Sequence, residues 1–122
     1  METLHLTAAL NLCAAQCDLC YKACDQEKTR ADLQRCMMLV KDCSAICLIS
    51  LKYLIRNSEN VMKLLKVCAE ICEICAEECQ KHDLWHCRDC ARECLKCAEV
   101  CKSHYESQDS AGDKAQLKIQ LA

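Results

Sequence analysis

Proline and phenylalanine are absent from this chain, and Gly112 is its single glycine. An all-β fold needs turn residues at short intervals, so their absence argues for long helices joined by short connections. Aromatic residues are few, one Trp and three Tyr, so rings take little of the core volume. A strong charge of either sign is also missing. The formal net charge is −2, and basic residues alternate with acidic ones, which excludes the basic stripe of a nucleic-acid binder. No apolar run reaches the roughly 18 residues of a membrane span. The opening METLHLTAALNLC has neither the basic n-region nor the uninterrupted apolar stretch of an export signal. The expected setting is the cytoplasm, with neither nucleic acid nor membrane as partner. A chain of 122 residues is one domain and can bury a core without disulfides.

What the chain has in excess is cysteine, 16 residues in a fixed rhythm. Cys13, Cys17, Cys20 and Cys24 alternate steps of four and three, and Cys68, Cys72, Cys75 and Cys79 repeat them. Cys87, Cys90, Cys94, Cys97 and Cys101 continue the alternation, while Cys36, Cys43 and Cys47 keep the register with Val40 in the skipped place. This alternation is the inward seam of a packed helix, the stripe where Leu, Ile and Val normally stand. The fold class expected is all-α: an antiparallel up-down-up-down four-helix bundle with a cysteine-lined core. Its helices should run from Thr3 or Thr7 to Glu27, from Thr29 to Arg56, from an Asn57 or Ser58 cap to Lys81, and from an Asp83 cap to Ser107. The bundle domain is expected over 1–107. Residues 108–122 change character and form a C-terminal tail, either disordered or an arm packing on a neighbour.

Extending the seam past the thiols gives the bundle two unlike ends. Leu6, Leu10, Ser50, Leu54, Val61 and Leu65, with His104, make a largely aliphatic plug. The opposite end gathers Cys24, Leu33, Cys36, Cys79 and Cys87 with His82 in register, and places Met37, Met38 and His86 beside it. Soft donors at one end and hydrocarbon at the other mark the first as the expected metal entrance.

Thiolates select Cu(I), Zn or iron–sulfur clusters. Cysteines at i and i+4 lie about 5–6 Å apart at Cβ, close enough for inward-leaning side chains to hold one linear Cu(I) between them. Seven such pairs fit without a shared residue, among them Cys13–Cys17, Cys43–Cys47 and Cys97–Cys101. Zinc needs four ligands in a tetrahedron, and a continuous stripe offers no separated sets of four. Iron–sulfur clusters need loops wide enough for an inorganic core. A bis-thiolate Cu(I) unit carries one negative charge, which is costly to stack in a dry core. Sharing thiolates between ions brings the column towards neutrality, so capacity should be roughly 10–16 Cu(I) per chain. One or two buried cysteines would be ordinary core filler, but sixteen in one register are not. Redox catalysis through Cys-x-x-Cys calls for an exposed thiol at a helix start. Only Cys87–Cys90 is near one, and no nucleophile–base set is visible, so an enzyme is not expected. Glu70, Glu73, Glu77 and Glu78 read as a solvated outer face.

These repeated Cys-x-x-x-Cys motifs on four helices resemble the cytosolic copper storage proteins over roughly residues 4–105. The resemblance implies a bundle that binds many Cu(I) ions and assembles as a homotetramer. It also implies copper entry at the end carrying His82, His86, Met37 and Met38. The alternative reading from composition is a zinc or mixed-metal thiolate buffer of the metallothionein type.

Overall fold

The computed structural model describes residues 2–121, with side chains described for 3–107. Four α-helices form: α1 (Glu2–Asp25), α2 (Gln34–Ile55), α3 (Val61–Cys79) and α4 (Trp85–Leu121). Each packs on its sequence neighbours, and α1 closes the ring against α4. This is the expected antiparallel bundle. The proposed tail of 108–122 falls on positions whose side chains lie outside the described residues.

The connections depart from the expected caps, each for a local reason. Thr29 makes no side-chain cap; the chain passes through a 3-10 turn, Arg30–Leu33, and α2 starts at Gln34. That turn buries Leu33 at the mouth of the bundle. Asn57 does not open α3 but closes α2. Its φ of 57° is left-handed, and the backbone bonds Asn57 N–H to Leu54 O (3.1 Å) and Ser58 N–H to Tyr53 O (3.0 Å) make a Schellman closure. Asparagine tolerates that conformation better than most side chains. Ser58 Oγ then accepts from Asn60 N–H at 3.1 Å, just ahead of α3. Asp83 pairs with Arg88 in the first turn of α4.

The core is sulfur. All sixteen cysteines have zero exposure, and all are free thiols. Val40 occupies the skipped seam position of α2, also at zero exposure. Leu6, Leu10, Val61 and Leu65 close one end, where the hydroxyl of Ser50 is buried with no hydrogen-bond partner. Small residues let the helices approach: Ala14, Ala69, Ala76, Ala91 and Ala98 are all buried beside the thiols. No described helix is long and apolar enough to cross a membrane.

Candidate metal centre

The thiols form a continuous column rather than isolated pairs. At its centre Cys43 Sγ lies 3.5 Å from Cys72 Sγ, 3.7 Å from Cys13 and 3.8 Å from Cys94, so all four helices meet at one level. Towards the plug, Cys47 lies 3.8 Å from Cys68 and 3.9 Å from Cys97. Towards the mouth, Cys17 contacts Cys90 and Cys94, each at 3.8 Å, and Cys36 contacts Cys79 at 3.7 Å. Contacts along one helix occur as well, Cys20–Cys24 and Cys90–Cys94, both at 3.9 Å. The shortest approach crosses between helices, a departure from the same-helix pairing that spacing alone favours.

These separations bear on coordination. With metal–sulfur bonds of about 2.3 Å, a linear unit needs sulfurs about 4.6 Å apart. Sulfurs 3.5–4.0 Å apart subtend about 100–120° at such a metal. That is the angle of three- or four-coordinate metal with shared thiolates. Four-ligand groups do occur: Cys13, Cys47, Cys72 and Cys97; Cys13, Cys17, Cys43 and Cys94; Cys17, Cys75, Cys90 and Cys94. They overlap, since Cys13, Cys17 and Cys94 each belong to two of them. Ions placed in two overlapping groups would therefore bridge through common sulfurs. The clusters can hold several metal ions.

At the mouth, Cys20, Cys24 and Cys87 converge with His86. His86 Nδ1 lies 3.6 Å from Cys20 Sγ, 3.8 Å from Cys24 Sγ and 3.6 Å from Cys87 Sγ. Its Nε2 donates to Glu27 Oε1 at 3.1 Å, and Trp85 packs edge-on against the ring at 5.4 Å. His86 is 1 % exposed, so it joins the column rather than standing beside it. His82 does the opposite. It lies in the connection between α3 and α4, part-exposed, with Nε2 at 2.7 Å from Glu78 Oε2. The seam register of α3 does not carry through that connection. Met37 is buried next to Cys36. Met38 is 67 % exposed on the outside of α2 and is not brought to the column. At the far end, His5 and His104 line a groove of about 400 Å³ between α1 and α4.

Glu78 was missed. It is 6 % exposed, not solvated, and its carboxylate takes Arg35 Nη1 at 2.6 Å and Lys81 Nζ at 3.5 Å besides His82. Burial acts to raise this carboxyl, but His82 and Arg35 outweigh it and hold it below its ordinary value. Only a sign in sequence could have found it: Glu78 is one step out of the α3 seam, beside Cys79.

Proton occupancy follows from burial. Burial pushes the Cys24 thiol up to about 11. Cys101 is raised as well, by its neighbours Cys68 and Cys97 and by burial. Burial works against ionisation along the column, while hydrogen bonds from neighbouring thiols lower Cys13, Cys36, Cys43, Cys68, Cys75 and Cys90, and each metal–thiolate bond formed at a protonated thiol releases a proton.

The family model of copper storage proteins matches residues 2–106, the whole thiol-bearing bundle. The chain belongs to the copper storage protein family. Its sequence is 37% identical over 78 residues to an uncharacterized cysteine-rich protein, YhjQ, of Bacillus subtilis, covering 64% of this chain and 72% of that one. Its structure is similar to the Cu(I)-bound copper storage protein BsCsp3, with TM-score 0.81, 34% identity, and 84% and 97% of the two chains covered. It is also similar to a cytosolic copper storage protein of Streptomyces lividans loaded with five coppers, with TM-score 0.81, 30% identity, and coverage of 84% and 90%. Membership in the copper storage family accords with a core made of sulfur, and nothing in the geometry favours zinc.

Proposed function

We propose that this chain stores and buffers many Cu(I) ions in its sulfur column and carries out no catalysis. The observation that carries this reading is the column itself: sixteen thiols at zero exposure, in contact across all four helices. Four-ligand groups that overlap at Cys13, Cys17 and Cys94 place thiolates where neighbouring ions can share them, and sharing is what lets copper approach the cysteine count without accumulating charge. The sixteen cysteines are the ligands, with His86 Nδ1 completing the set at the mouth. Met37 and His82 serve the entrance. Met38 is left out of the ligand set, because its thioether faces solvent.

Ions enter between Leu33, His82 and His86 and pass from Cys20, Cys24 and Cys87 to the central thiols. The aliphatic end stays shut. The working compartment is the cytoplasm, where thiols stay reduced, in keeping with the cytosolic Streptomyces relative. The assembly is a homotetramer. Supporting it, Leu4, Leu12 and Leu19 are exposed on one face of α1, and Leu48, Ile49 and Ile55 are exposed on α2, an apolar surface that self-association would cover.

Protein isolated anaerobically from copper-fed cells and weighed by native mass spectrometry tests this. The expected species carries ten or so coppers per chain or more. A species carrying only zinc would contradict it.

A further inference from the structure

Glu78 holds more than its own stability requires. A carboxylate buried this far needs partners, and Arg35 Nη1 at 2.6 Å already provides a charged one. Yet its second oxygen is given to His82 Nε2 at 2.7 Å. A carboxylate only accepts, so in the neutral ring Nε2 carries the proton and Nδ1 carries the lone pair. The other mouth histidine is wired in the same way: Glu27 Oε1 takes His86 Nε2 at 3.1 Å, and the free Nδ1 faces Cys20, Cys24 and Cys87. Two histidines, from different elements, have each surrendered Nε2 to a glutamate. In one of them the consequence is visible, because Nδ1 meets three thiols.

The location adds to this. Glu78 precedes Cys79 and Arg35 precedes Cys36, and those two sulfurs are 3.7 Å apart. The Arg35–Glu78 pair therefore ties α2 to α3 directly over a thiol contact at the mouth, and fixes Glu78 before it fixes His82.

We propose that Glu78 is a positioning residue: it locks His82 with Nδ1 as the free, soft donor that receives incoming Cu(I) and passes it to the thiols below. Carboxylate partners of metal-binding histidines set tautomer, orientation and basicity, and their loss typically costs about 10–100-fold. Arg35 keeps Glu78 charged and in place. The proposal rests on copper entering at this end, and its first readout needs no copper.

The test compares Glu78→Ala, Glu78→Gln and His82→Ala in the full chain. In the reduced, metal-free protein, ¹⁵N chemical shifts of His82 report which ring nitrogen carries the proton. The Nε2–H form is expected in the parent and in Glu78→Gln, whose amide oxygen still accepts. A mixture of tautomers is expected in Glu78→Ala. Anaerobic Cu(I) uptake from a chelator should then slow about 10-fold in Glu78→Ala and in His82→Ala, and no further when the two are combined, with final capacity unchanged. Glu78→Gln should retain most of the rate. If Glu78→Ala does not fold, Glu78→Met fills the same volume and takes its place in both readouts. An unchanged tautomer in Glu78→Ala overturns the proposal. So does a slowing that persists in the His82→Ala background, since Glu78 would then act as a structural tie and not through His82. A parent protein that takes up only a few coppers refutes the storage reading instead, and the tautomer result stands apart from it.

Discussion

Replacing Cys13 and Cys94 together by alanine separates a shared sulfur column from discrete sites. Both are at zero exposure, and their sulfurs touch at 3.9 Å. Between them they belong to three of the four-ligand groups. Each substitution removes a buried sulfur about the size of a methylene and costs about 1 kcal/mol, against total stabilities of about 5–15 kcal/mol. The variant therefore folds. If ions occupied separate tetrahedral sites, about four in all, the double change would abolish up to two of them, half of the chain's capacity. If thiolates are shared at close to one copper each, it removes about two coppers of a total of roughly 10–16. Anaerobic loading with excess Cu(I), desalting and elemental analysis against protein concentration gives the number. Loss of about half the copper from a helical, monodisperse variant would refute thiolate sharing.

Other expectations follow from the same geometry. Reduced, metal-free protein should be strongly helical by far-UV circular dichroism, because Leu6, Leu10, Leu33 and Leu65 are buried and neutral thiols pack as apolar groups; a coil spectrum that becomes helical only with metal would contradict it. Leu65→Ala should cost about 2–5 kcal/mol of stability in denaturant unfolding and leave Cu(I) uptake rates unchanged, whereas faster exchange would place the entrance at the plug. The Cys24 thiol is raised above its unfolded value of 9.0 to about 11, so its contribution to metal-free stability is complete below pH 9.0 and is lost as pH rises towards about 11. Thermal midpoints measured across that window should fall, and flat midpoints would mean the thiol is not buried.

The helices and their inner faces were legible because a three-four alternation repeated on four segments has one geometric solution. Sixteen cysteines and Val40 all stand where that alternation puts them. The turns were less legible. Asn57 carries both a helix-capping side chain and a tolerance for the left-handed region, and the backbone used the second property to end α2 rather than the first to begin α3. The mouth was legible in kind but not in detail. Seam counting favoured His82 over His86, yet the count assumes an unbroken helix, and His82 sits in a connection where that period has no meaning. His86, one residue into α4, is the one turned into the thiols. Glu78 looked like its neighbour Glu77 because a charged residue in a helix is solvated by default; the approach of Arg35 from α2, 43 positions away, together with His82 and Lys81, offsets its burial. Cross-helix sulfur contacts were likewise invisible, since spacing reports neighbours along one helix and not the level at which its partner presents a thiol.

Anaerobic titration of the reduced protein with Cu(I), in competition with a chelator of known affinity, tests storage in shared thiolates most directly. The account predicts saturation at roughly 10–16 ions per chain, with protons released as thiols convert to thiolates. Saturation at about four ions, the number that separate tetrahedral sites would hold, would contradict it.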